Sequence, residues 1–459
     1  VSTLELRPDK PSGSPVNAEG DKVFAPVRVG VVHLGCAKNL VDTESMLGLV
    51  SQAGHEVVTD ETTADVVIVN TCGFIADAQK EAIRTVLEVG TWGKKVIMAG
   101  CLVERHKEEL VKELPEVQGF LGTGEYANII PVLEGVLDGQ RVSRLDSSAY
   151  LYTGDTPRYR TNLVPYTYLK ISEGCDHPCT FCIIPQLRGK MRSRTVESVL
   201  KEARELIDAG YEEIALIGQD TTAYGMDLPE RSSLAQLLRE LAKLDAKFRL
   251  MYTYPSLLTD EVLEVMASED NILSYIDVPL QHSHPDILKT MKRPYGPGYN
   301  QKLVERIRAK VPDVILRTTY IAGFPGETEA HVEDLLAFIR ESKFDHVGVF
   351  AYSKEDVAES APFDGHMPQK VKKERVKAAM HVQQQVLREI MPRHIGRVLP
   401  MLVEGVQGNR VFGRTYMDAP EVDGLTYAKG IADPGDWVHV RITKVGVYDT
   451  YGEIVGEPA

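Results

Sequence analysis

Cysteine is scarce in this chain and unevenly spread. Among 459 residues there are six, and the 277 residues after Cys182 contain none. The N-terminus is polar and has no signal-peptide core, so the six point to a cytoplasmic protein whose cysteines serve metals or catalysis, not disulfides. No apolar run approaches the ~18 residues of a membrane helix, which excludes a helical membrane protein. Positive charge is also short: the net charge is −14 and the isoelectric point about 5.4. Such a balance argues against generic binding to nucleic-acid backbones and allows a basic protein partner. There is no internal repeat, no phosphate loop and no Ser/His/Asp set. The twelve histidines are dispersed and suggest no catalytic role.

Three of the cysteines nevertheless crowd together. Cys175, Cys179 and Cys182 fall in the run Glu173-Gly174-Cys175-Asp176-His177-Pro178-Cys179-Thr180-Phe181-Cys182, a C-x3-C-x2-C spacing with no fourth cysteine nearby. Three thiolates on one loop can hold three irons of a four-iron cluster and leave the fourth open to an exogenous ligand. The spacing resembles that of the radical S-adenosylmethionine enzymes. The competing reading is structural zinc with His177 as fourth ligand, but zinc motifs pair such a run with a second one about twelve to twenty residues away, and none follows.

The chain reads as three structured segments. Residues 1–25 are rich in Pro, Gly, Ser and charge and read as a disordered arm. Over 26–141 strands alternate with helices: strands at Val27–Leu34, Asp65–Asn70 and Lys95–Ala99, helices near Leu40–Val50, Ile75–Val89 and Val103–Leu114. This order implies an open parallel α/β sheet. Cys36, Cys72 and Cys101 each lie just past one of these strands, beside Gly35, Gly73 and Gly100. Strand C-termini share one edge of a parallel sheet, so the three should converge there. One such cysteine would read as a small buried hydrophobe. Three in the same topological position favour a second cluster site.

A polar stretch, 142–164, reads as a linker. Over 165–391, six strands are expected at Tyr166–Ile171, Glu213–Ile217, Arg249–Tyr254, Tyr275–Pro279, Val314–Ile321 and His346–Tyr352, with helices between. That is an open (β/α)6 barrel with its chemistry at the strand C-termini. A long charged helix, Gln369–Met391, leads into 392–459, where short strands with frequent Gly and Pro suggest a small β-barrel.

With these residues in view, the chain resembles the methylthiotransferases, a family with an N-terminal three-cysteine domain, a radical S-adenosylmethionine core and a C-terminal TRAM barrel. All six cysteines match the two triads of that pattern. Leu34-Gly35-Cys36-Ala37-Lys38-Asn39-Leu40-Val41-Asp42, Cys182-Ile183-Ile184-Pro185, Gln219-Asp220-Thr221-Thr222-Ala223-Tyr224-Gly225 and Asp277-Val278-Pro279-Leu280-Gln281-His282 resemble the branch that modifies ribosomal protein S12. The resemblance implies two [4Fe–4S] clusters, S-adenosylmethionine, an electron donor, a sulfur donor, and transfer of a methylthio group to the β-carbon of an aspartate. It also implies that Phe181 lies against the adenine ring of the cofactor, where simple core packing is the alternative.

Other segments carry weaker expectations. Gln219 ends a barrel strand on the active face and is a candidate for the cofactor's amino group. Gly323-Phe324-Pro325-Gly326-Glu327-Thr328 could present backbone amides to the cofactor or form a tight turn with Thr328 as N-cap. Arg188, Lys190, Arg192 and Arg194 could engage cofactor or substrate, or form a solvated basic edge. The run Lys370, Lys372, Lys373, Arg375, Lys377 reads as a solvated helix face. Residues 396–459 carry six Lys or Arg against nine Asp or Glu, and an acidic barrel suits a basic protein better than RNA. Two further functions compete: the tRNA-modifying branch acting on isopentenyl-adenosine, and a non-enzymatic, metal-stabilised adaptor that binds RNA or ribosomes.

Overall fold

A computed structural model of the protein describes residues 25–146, 150–161, 164–230 and 232–456. The expected arm over 1–25 lies outside these residues except for Ala25. The described chain forms two compact units, one running to Thr161 and including Ile183–Lys190, the other made of the remaining residues.

The first unit is a six-stranded parallel sheet. Its strands are β1 (Arg28–His33), β2 (Glu56–Val57), β3 (Val66–Thr71), β4 (Lys95–Gly100), β5 (Gly119–Leu121) and β6 (Val142–Arg144), in spatial order β2-β1-β3-β4-β5-β6. The Val- and Ile-rich runs behave as strands buried on both faces. Val66 and Ile68 pack with Met46, Leu47 and Val50 of helix α1 (Ala37–Gln52). On the other face Val67 and Val69 meet Ala82 and Val86 of α2 (Ala76–Gly90) and Leu102 and Val103 of α3 (Cys101–Glu113). A further helix, α4 (Ile129–Leu137), covers the first face with Ile129, Val132, Leu133 and Val136. The polar stretch that begins at Val142 opens with β6, and the segment Ile183–Lys190 folds into this unit through a short helix, Ile184–Arg188, packed on α3.

The second unit holds the expected partial barrel. Strands Tyr166–Lys170, Glu213–Ile217 and Lys247–Leu250 form one parallel sheet; Tyr275–Asp277, Ile315–Ala322 and His346–Ala351 form another. A parallel bridge between Phe248 and Ile272 joins them in sequence order. Helices follow the strands, and their starts are those the sequence signals: Thr195 caps Val196–Asp208, and Thr328 caps Glu329–Ser342 in a capping box with His331. After the helix Gln369–Ile390, strands Val398–Gln407, Arg410–Thr415, Thr426–Lys429, Trp437–Val445 and Thr450–Ile454 close into a five-stranded barrel. No helix among the described residues is long and apolar enough to cross a membrane.

Candidate active site

Two cysteine triads mark the molecule, one in each unit. In the first, parallel register sets the geometry. Thr71 pairs with Gly100 and His33 with Asn70, so the residues just beyond β1, β3 and β4 lie along one edge of the sheet. Cys72 follows Thr71 and Cys101 follows Gly100, while Cys36 is the N-cap of α1. The loops touch. A β-carbon on Gly35 would stand 3.1 Å from that of Cys72, and one on Gly73 would stand 2.6 Å from the Cys101 carbonyl oxygen, too close for any side chain. Glycine beside these cysteines is therefore a condition of their convergence.

The thiols sense one another. Burial raises the Cys72 thiol and pushes Cys101 up to about 12, and the negative charge of Cys36 adds to both. Arg188 acts in the opposite direction on both thiols. Its Nη1 lies 2.6 Å from Asp42 Oδ2 and its Nη2 donates to Asn39 Oδ1. Asn39 in turn ties the loops together, donating to the carbonyls of Leu34 and Thr71 at 3.1 Å each, with its Oδ1 3.8 Å from Cys101 Sγ. Asn39 and Asp42 follow Cys36 on one face of α1 at three-residue spacing.

In the second unit, Cys175, Cys179 and Cys182 sit on the loop after the first barrel strand, all half-buried. The loop is pinned on several sides. Cys182 N donates to Cys179 O, Thr180 N to Met291 O and Ser360 N to Thr180 O. Arg293 Nη1 lies 3.7 Å from Cys179 Sγ. The Cys175 thiol is pushed up to about 11 by burial, with Asp220 and Cys179 adding to the effect. His177 stacks on Tyr254 at 3.5 Å and 7°, and its Nε2 lies 2.6 Å from Asp220 Oδ2. Asp220 is itself fixed by Thr222 N at 2.8 Å, which gives the Gln219–Gly225 motif a structural task.

This arrangement disfavours zinc. The imidazole expected as fourth ligand is held against Tyr254 and Asp220. Zinc–sulfur bonds of about 2.3 Å need donor atoms within roughly 4 Å of one another. Among the described residues neither cysteine triad has its ligand atoms within 4.8 Å; the group that does is His284, Asp286 and His331. Their Nδ1 atoms serve the helix starts there, His284 Nδ1 accepting from Asp286 N and His331 Nδ1 from Thr328 N, each at 3.2 Å.

Gln219 lies just past the second barrel strand. Its Nε2 donates to Glu173 Oε1 at 2.6 Å, and Glu173 also receives Lys170 Nζ at 2.6 Å. Gln219 Oε1 is buried without a hydrogen-bond partner among the described residues, so an acceptor on the active face awaits a donor. That suits an ammonium group such as the one on S-adenosylmethionine. Phe181 packs, half-buried, against the apolar group Ile287, Met291, Phe324 and Tyr352. Two non-glycine residues at the same face, Tyr252 and Gln281, hold left-handed backbone with φ of 59° and 71°, a strain that concentrates at functional sites.

Other expectations are revised. The Gly323 amide is taken by both carboxylate oxygens of Glu327, at 2.9 and 3.0 Å, and Thr328 is the N-cap, so this segment is a capped turn. Arg188 and Arg194 are neither a solvated edge nor free for a ligand: both are buried, Arg188 on Asp42 and Arg194 on Glu202 at 2.5 Å. Lys372 and Arg375 also leave the expected solvated face, the first donating to Tyr352 O at 2.9 Å and the second paired with Glu327 at 2.8 Å.

Residues 169–339 match the Radical SAM superfamily, residues 28–122 the Uncharacterized protein family UPF0004, and residues 395–455 the TRAM domain. The chain is 46% identical over 433 residues to the ribosomal protein uS12 methylthiotransferase RimO of Gloeobacter violaceus, covering 94% of this chain and 99% of that one. It is 44% identical over 431 residues to the protein of the same name from Thermosynechococcus vestitus, covering 93% and 97%. Among solved structures, the radical S-adenosylmethionine methyltransferase TsrM from Kitasatospora setae, with cobalamin and a [4Fe-4S] cluster bound, aligns with a TM-score of 0.55. The alignment covers 73% of this chain and 77% of that one at 15% identity, a likeness of fold.

Proposed function

The chain belongs to the ribosomal protein uS12 methylthiotransferases, and on that footing we propose how its residues divide the work of placing a methylthio group on the β-carbon of an aspartate in ribosomal protein S12. The family uses S-adenosylmethionine and a [4Fe–4S] cluster. We assign that cluster to Cys175, Cys179 and Cys182, and a second [4Fe–4S] cluster, the sulfur carrier, to Cys36, Cys72 and Cys101. The observation that carries the second assignment is the convergence of three thiols at equivalent ends of adjacent parallel strands.

An aspartate β-hydrogen is too weakly acidic for any side-chain base, and S-adenosylmethionine bound at a reduced cluster supplies radical chemistry in place of a base. The protein's own share is positioning. Gln219 offers its free Oε1 to the cofactor's ammonium, with Glu173 and Lys170 fixing the amide. Phe181, packed on Ile287, Met291, Phe324 and Tyr352, offers a ring face to the cofactor's adenine. Tyr254, Asp220 and Arg293 hold the loop of Cys175, Cys179 and Cys182, and the buried apolar wall around Phe324 and Tyr352 limits water.

The segments implied are 26–141 extended by β6 for the sulfur-carrying domain, the rest of 142–164 as connection, 165–391 apart from Ile183–Lys190 for the radical core, and 392–459 for the TRAM barrel. An electron donor must reduce the radical cluster and a sulfur donor must replenish the other, in the cytoplasm where the ribosomal substrate resides. The adaptor and tRNA readings are not favoured by relatives of this name.

The test is direct. Full-length protein reconstituted with iron and sulfide, then supplied with reductant and S-adenosylmethionine, should add about 46 Da (CH3S replacing H) to one aspartate of ribosomal protein S12 by this cofactor chemistry. Isopentenyl-adenosine tRNA should gain nothing. Modification of that tRNA with none of the protein would overturn the substrate assignment.

A further inference from the structure

Arg188 stands six residues after Cys182 in the chain, yet it folds into the N-terminal unit. It is 3% exposed, and its partner Asp42 is 2% exposed. Burying an ion pair costs desolvation that the pair alone seldom recovers, so a buried pair near a site calls for a task. The position suggests one. The guanidinium reaches Asn39 Oδ1, the atom 3.8 Å from Cys101 Sγ, which sets its positive charge beside this sheet edge. Three ligating thiolates and the sulfur they bear would concentrate negative charge at this sheet edge. Charge and hydrogen bonds near cluster sulfurs set reduction potentials, and partners behind the ligands tune a metal centre.

We propose that Arg188 is a positioning residue for the N-terminal cluster: clamped by Asp42 and Asn39, its guanidinium offsets the negative charge of Cys36, Cys72, Cys101 and their bound sulfur. It thereby raises the reduction potential of that cluster and tightens its hold on an anionic sulfur ligand. Asp42 acts in the opposite sense, drawing the guanidinium's charge back. This rests on the assignment of a cluster to the N-terminal triad.

The experiment uses the full chain with Cys175, Cys179 and Cys182 all changed to Ala, reconstituted so that one cluster remains. This parent should load about four irons; if it loads none, the site assignment itself fails. Within that background, Arg188→Gln should lower the reduced-to-oxidised ratio about tenfold at a fixed poise, equivalent to about 59 mV for one electron. It should also weaken hydrosulfide binding, followed by titration with sodium sulfide, about tenfold. Asp42→Asn should move both quantities the other way. Opposite signs from two changes that break the same ion pair cannot come from lost packing. If Arg188→Gln fails to load iron, Asp42→Asn decides alone. A loaded Asp42→Asn variant with an unchanged or lowered potential would overturn the proposal, as would an unchanged potential in loaded Arg188→Gln.

Discussion

Arg414 of the C-terminal barrel donates through Nη1 to both carboxylate oxygens of Glu213, at 3.0 Å each. Glu213 opens the second strand of the partial barrel, and Arg249 on the next strand holds the same carboxylate at 2.7 Å. Tyr275, Arg317 and His346 lie near the N-terminal ends of the remaining strands. Tyr275 donates to Asp423 at 2.6 Å, Arg317 pairs with Asp423, and His346 Nδ1 lies 3.2 Å from it. The TRAM barrel is therefore docked by buried charge on the face opposite the strand C-termini, where barrel chemistry sits. Glu213→Gln should leave Arg249 without a carboxylate and Arg414 with Glu404 alone, and destabilise the protein by about 3–5 kcal/mol, seen as a lower Tm and faster proteolytic release of the C-terminal barrel. An unchanged Tm would show that the docking does not depend on this pair.

Asp418 gives the same interface a pH dependence. Burial, with Asp423 adding to it, raises its carboxyl from 3.8 to about 7, against the pull of His346, Arg249 and Arg414. Between these values the folded protein keeps a proton that the unfolded chain has released. Stability therefore falls as pH rises from about 4 to 7, then levels. Asp418→Asn removes the titration. Its Tm should match that of the unaltered protein at about pH 4 and exceed it at pH 8, by the equivalent of roughly 4 kcal/mol at about 1.4 kcal/mol per pH unit. Parallel pH profiles for the two proteins would refute the assignment.

The docking also shows what a charge count could not resolve. The acidic balance of residues 396–459 suggested a surface for a basic partner. Asp418 and Asp423 are buried, and Glu404 is turned onto Arg414, so three of the nine acids are spent inside the molecule. Burial is invisible to a charge count. Arg188 and Arg194 were opaque for the same reason, since Asp42 lies 146 residues from Arg188 and local charge pattern cannot reveal it. By contrast, the three strands before Cys36, Cys72 and Cys101 were legible because runs such as Val66–Val69 are apolar and β-branched. β2, β5 and β6 were missed, being two or three residues long. The α4 helix was missed although Ile129, Val132, Leu133 and Val136 have helical spacing and Pro131 lies in its first turn, where proline is tolerated.

Gln219 tests the cofactor face. Its Oε1 is buried and unpartnered while its Nε2 is spent on Glu173. Gln219→Ala removes the acceptor and should weaken S-adenosylmethionine binding about tenfold, or roughly 1.4 kcal/mol. The cluster absorbance should stay intact, because the amide touches none of the cysteines. Equal affinity in equilibrium dialysis would remove Gln219 from the site.

The two triads should fail in opposite ways. Cys175→Ala takes a ligand from the loop that Arg293, Thr180 and Cys182 brace, leaving the sheet edge that carries Cys36, Cys72 and Cys101 untouched. Iron should fall from about eight to about four per chain, with reductive cleavage of S-adenosylmethionine abolished. Cys36→Ala, Cys72→Ala and Cys101→Ala should each also lose about four irons but retain cleavage, since the C-x3-C-x2-C loop and Gln219 are unaltered. These three should transfer no methylthio group. Cys101→Ala is the most demanding case, because that thiol is buried against Asn39 and its loss disturbs the most packing. Circular dichroism must therefore match the unaltered protein before its chemistry is compared. Cleavage preserved in Cys175→Ala, or methylthio transfer at normal rates in any N-terminal variant, would break the division of labour between the two triads.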